Sequence, residues 1–115
     1  MTITNSNLLS LDWLLPVLNA ELASIQTLIT NGEKDNGFQL APESWQQAAK
    51  QYWQLHGALS VANLPQFAHV ASVLSATSRY LSQGSMSDES MTLLVQLLKV
   101  THSSLHHQLK QHITV

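Results

Sequence analysis

Residues 45–62 read Trp45-Gln46-Gln47-Ala48-Ala49-Lys50-Gln51-Tyr52-Trp53-Gln54-Leu55-His56-Gly57-Ala58-Leu59-Ser60-Val61-Ala62. Apolar or small residues at Trp45, Ala48, Tyr52, Leu55, Leu59 and Ala62 recur at alternating spacings of three and four. That is the period of one helical face. Pro42 suits the first turn of such a helix, where its missing N–H is not needed, and Glu43 suits the positive end. The spacing therefore predicts an amphipathic helix from Pro42 to about Ala62.

The same period recurs on both sides of this stretch. Upstream, Leu11, Leu14, Leu15, Leu18, Leu22, Ile25, Leu28 and Ile29 share a face, with Ser10 as a candidate N-cap and Asn31-Gly32 as a stop. Pro16 lies too deep for the first turn, so a kink or a short preceding turn is expected there. Glu33 to Ala41, with Asn36-Gly37, reads as a loop. Downstream, Asn63-Leu64-Pro65 forms a tight joint, and Leu64, Phe67, Ala71, Leu74, Ser78 and Leu81 line a third helix. Gln83-Gly84-Ser85 breaks it. Ser87-Asp88-Glu89 opens a fourth with a cap and two acids, and Met91, Leu94, Leu98, Leu105 and Leu109 form its stripe.

Four amphipathic helices with mostly short joints and no strand signal define an all-α fold, expected to be an antiparallel up-down-up-down four-helix bundle. The 115 residues suffice for one domain with its own core, and residues 1–8 read as a flexible polar lead-in.

Composition narrows the function. Charged residues make up 10% of the chain, well below the usual quarter, and the net charge is −2. The five cations (Lys34, Lys50, Arg79, Lys99, Lys110) are scattered, so no basic face answers a phosphate backbone and nucleic-acid binding is not expected. Cysteine is absent, which removes disulfides, thiolate zinc sites and a thiol nucleophile. No secretory signal or bilayer-length apolar run is visible, so the expectation is a cytoplasmic protein with no membrane insertion. No cofactor is called for.

The helix of residues 42–62 carries a second message on its other side. A glycine inside a helix costs about 1 kcal/mol relative to alanine. At about 100° per residue, Gly57 falls nearly opposite the centre of the apolar stripe, and Trp53 shares that outer side. Lys50, Gln54 and Val61 join them. A tryptophan beside a bare stretch of backbone invites a protein partner, and Trp53, His56, Gly57, Lys50, Gln54 and Val61 are the candidate docking residues.

The run Ala48 to Leu64 resembles a histidine phosphotransfer (Hpt) domain. Together with Ser10-Leu11-Asp12-Trp13 and Glu21-Leu22, it is similar to the N-terminal Hpt-like domains of CheA-type kinases of type IV pilus chemosensory systems (the ChpA and PilL branch, with FimL). Such domains carry an outward histidine, a lysine or arginine three residues on, and a glycine immediately after. Aligned on Gly57, this chain has Trp53 in place of the histidine and His56 in place of the cation. Indole has no basic ring nitrogen to accept a phosphoryl group. The resemblance therefore implies a phosphotransfer fold without the reaction, hence not an enzyme. Its implied partner is a CheY-like receiver domain or another signalling protein of the pilus (twitching motility) system.

Other histidines offer alternatives. His69 points outward on the third helix and is a relocated phospho-acceptor in the competing reading, although Ser72 and Val73 stand where a cation and a glycine would follow. His102 and His106 have a metal-ligand spacing of four, yet no Asp, Glu or Cys follows Glu89 to complete a shell. The apolar stripe claims His102 instead, as a core-flanking histidine hydrogen-bonded to a neighbouring helix. No spacing builds a Ser-His-Asp triad. A second weak row, Val73, Ala76 and Tyr80, marks a partner or dimer contact, and a purely structural dimerisation bundle (a homodimer) is the third reading.

Overall fold

The computed structural model describes residue 14 and residues 16–31, 42–84 and 87–114. The expected lead-in, the Ser10 cap, Gly32, the loop 33–41 and the Ser85 break lie outside the described residues. So do residues 11–13 and 15, on which the kink at Pro16 turns. Within the described residues there are four helices and no strand: α1 over 16–31, α2 over Pro42–Val61, α3 over Pro65–Ser82 and α4 over Asp88–Thr114.

Local chemistry sets the ends. Pro42 is the first residue of α2, with Glu43 in its first turn. The α2–α3 joint is a Schellman closure: the Leu64 N–H donates to the Leu59 carbonyl at 2.9 Å and the Asn63 N–H to that of Ser60 at 3.1 Å. Asn63 takes the left-handed conformation this requires, at φ 62°. Leu59 and Leu64 are both buried, supplying the apolar contact that accompanies such a closure. Pro65 then starts α3 where no N–H is missed. At the start of α4 the Ser87 hydroxyl accepts from the Ser90 N–H at 3.3 Å, so the expected cap is made.

The stripes read from the sequence form one core. Trp45, Ala48, Tyr52, Leu55 and Leu59 of α2 are buried, as are Phe67, Ala71, Leu74, Ser78 and Leu81 of α3. Leu18, Leu22, Ile25 and Ile29 of α1 join Leu98, Leu105 and Leu109 of α4. Ala62, Met91 and Leu94 sit at the edge, partly covered. Periodicity missed Ala49, Ala68, Ser75 and Val95, which are also buried. Each fully buried large aliphatic side chain contributes about 1.5–3 kcal/mol, so this stripe dominates the stability.

Helix neighbours are fixed by polar bonds as well. The Ser75 hydroxyl of α3 donates to the Ala49 carbonyl of α2 at 2.7 Å. His106 of α4 bonds the Asn19 side chain of α1 through Nε2 at 2.9 Å. Backbone packing joins α3 to both α2 and α4. The body measures 55 × 21 × 20 Å, a cross-section two helix diameters wide in each direction. No helix among the described residues is long and apolar enough to cross a membrane.

The outward face of α2 as a candidate functional site

The helical rotation that buries Tyr52 and Leu55 turns their neighbours out. Trp53 is 55% exposed and Val61 90%, while Lys50, Gln54 and Gly57 are also exposed. A Cβ added at Gly57 would have nothing within 4 Å. Close helix packing is therefore not what the glycine serves, and it leaves a bare strip of backbone beside the indole.

His56 is placed differently from the other five. It is only partly exposed, at the rim between α2 and α3. Its Nδ1 lies 2.8 Å from the Ala68 carbonyl of α3. A carbonyl only accepts, so Nδ1 carries the hydrogen and donates it. The Trp53 indole stacks on this anchored ring, centroids 4.7 Å apart and planes inclined by 23°. The stack restricts the exposed indole, and a side chain held in advance loses less entropy in any later contact. His56 thus buttresses Trp53, a role that the spacing alone did not reveal. Lys50 is the one ionic side chain among the six residues.

The remaining histidines sort by environment. Tyr52 and His102 are joined at 2.7 Å between the phenol oxygen and Nδ1, inside the core. Burial first, then the neighbouring His106, push the His102 imidazole down to about 4, with the Leu22 backbone acting weakly the other way. Burial also raises the Tyr52 phenol above its ordinary range, so the pair is neutral at pH 7. The tyrosine hydroxyl donates to Nδ1, leaving the hydrogen on Nε2, which is near the Leu22 backbone without closing a hydrogen bond of good geometry. The expected core-flanking histidine bonded to another helix is what His102 is. His106 is lowered by partial burial and by Lys110. His102, His106, His107 and Lys110 line an open groove against Gln26 and Thr27 of α1. Among the described residues no three His, Cys, Asp or Glu side chains are grouped to hold a metal.

His69 is exposed on α3, its backbone carbonyl accepting from the Ser72 hydroxyl at 2.7 Å. It stands on a different helix from Trp53 and Gly57, and the residue three positions on is already tied to the backbone. His112 meets the edge of Phe67 at 5.3 Å between ring centroids.

No known protein family matches the chain, and no curated protein or solved structure matches it.

Proposed function

We propose that this chain is an Hpt-like, antiparallel four-helix bundle that has lost phosphotransfer and serves as a protein-interaction module. On this reading it acts in two-component or chemosensory signalling of the type IV pilus kind, and docks a CheY-like receiver or a related pilus-system signalling protein. Trp53, Gly57, Lys50, Gln54 and Val61 make the contact, and His56 positions the indole.

The observation that carries the proposal is the pairing of an exposed, anchored tryptophan with a helical glycine that packing does not require. Retaining that glycine at a cost of about 1 kcal/mol makes sense where a partner approaches the backbone closely. The polar bonds between α2 and α3 and between α1 and α4 support the bundle arrangement.

Titration with a receiver domain tests it. Trp53→Ala should weaken binding by about 2 kcal/mol, the scale of an aromatic hot spot, and Gly57→Arg should abolish it by steric block. Unchanged affinity in both variants would remove the patch. Incubation with a phosphorylated receiver, followed by an acid-labile phosphate assay, tests the silence: label retained by the wild type and lost in His69→Ala would replace this reading with an active phosphotransfer protein.

A further inference from the structure

A second apolar surface spans α3 and α4. Val73 and Tyr80 of α3 and Leu93, Leu97 and Val100 of α4 are between 47 and 67% exposed. Tyr80, Leu93, Leu94 and Leu97 line one groove with Ser90, so the two rows are continuous. The row on α4 is separate from its core stripe of Val95, Leu98, His102, Leu105 and Leu109. We propose that this face joins two copies of the chain, with the two α4 helices antiparallel about a twofold axis near Leu97. The proposal does not depend on the docking role of α2.

Three features select a second copy as the occupant. The row Ser90, Leu93, Leu97, Val100, Ser104 alternates spacings of three and four, the seam of a helix that packs on another helix. It is also nearly palindromic about Leu97, with a serine seven positions away on either side and Leu93 and Val100 between. A twofold contact requires a surface complementary to itself. Reversal about Leu97 lays aliphatic side chains on aliphatic side chains and small serines at both ends, where the helices can come close.

Charge supports the antiparallel sense. Asp88 and Glu89 stand at the start of α4, whereas His107, Lys110 and His112 stand towards its end. At about 100° per residue Glu89 and His107 fall on the same flank of the row, so antiparallel pairing sets the Glu89 of one copy beside the His107 of the other. Asp88 and Lys110 lie on the far side of α4, and the row itself carries no ionic side chain to be desolvated. The five exposed side chains amount to roughly 500 Å² of apolar surface, at the upper end of what a monomer shows in one patch. With a polar rim this approaches the roughly 800 Å² per partner of a standard interface.

Sedimentation or light-scattering mass measurement over a concentration series tests the proposal. The expected mass rises from 12.7 kDa on dilution towards twice that value at high micromolar concentration. Leu97→Glu should weaken association by roughly tenfold or more, because two carboxylates would meet at the axis. Its helicity should be unchanged, since Leu97 is exposed, while Val61→Glu on α2 should leave association intact. The chain has no cysteine, so Leu97→Cys should cross-link into a disulfide dimer under mild oxidation and Val61→Cys should not. A monomer throughout the series, or a dimer indifferent to Leu97→Glu, would overturn the proposal.

Discussion

Tyr52 and His102 meet at 2.7 Å across the interior although fifty positions separate them in the chain. The bond ties α2 directly to α4 within a mainly aliphatic core, and burial there keeps the imidazole neutral. His102 then has a pKa near 4, against 6.5 in the unfolded chain.

Acid sensitivity follows from that pair. Between pH 6.5 and 4 the unfolded state binds a proton at His102 that the folded state refuses. Stability therefore rises with pH in this window and is lost as pH falls from about 6.5 to about 4, by a total on the order of 2–3 kcal/mol. Urea unfolding at pH 7, 5.5 and 4.5 should show the decline. The double variant Tyr52→Phe/His102→Leu removes both polar partners together and should flatten it; a wild-type slope in the double variant would refute the assignment.

Gly57→Ala should make the protein more stable. The added methyl meets nothing within 4 Å, and alanine is the better helix former by about 1 kcal/mol. Thermal unfolding should shift upward by roughly 4 °C or more. A destabilised Gly57→Ala would mean that the backbone there is not freely accessible.

Asn63→Ala should cost about 1 kcal/mol, because alanine pays the left-handed penalty that asparagine largely escapes. Asn63→Gly should lie within a few tenths of the wild type. Equal chemical-denaturation midpoints for Asn63→Ala and the wild type would show that the closure of α2 does not depend on this conformation.

Ser75→Ala should cost about 1 kcal/mol, the net value of one neutral hydrogen bond. The partner, the Ala49 carbonyl, also accepts within α2, so no buried group is orphaned and the loss stays small. A loss above about 3 kcal/mol would instead indicate a rearranged α2–α3 contact.

Much of the site was legible in advance because outwardness on a helix is an angle. Counting 100° per residue from Tyr52 and Leu55 placed Trp53 and Gly57 on the far side, and the exposures agree. What the count could not supply is the Ala68 carbonyl that anchors His56, since that atom belongs to another helix. The row Leu93, Leu97, Val100 is likewise visible as a spacing, yet its union with Tyr80 depends on how α3 lies beside α4.

By itself the sequence determined four helical stretches, the stops at Asn63 and Gly84, the cap at Ser87 and the core side of each helix. These are local properties, fixed by backbone preferences and a period of 3.6 residues. Only the tertiary structure decided which polar side chains find partners: Tyr52 with His102, His56 with Ala68, Ser75 with Ala49, His106 with Asn19. Those pairings depend on the relative height and rotation of packed helices, set by the interlocking of many side chains at once, and no single stretch of chain encodes them.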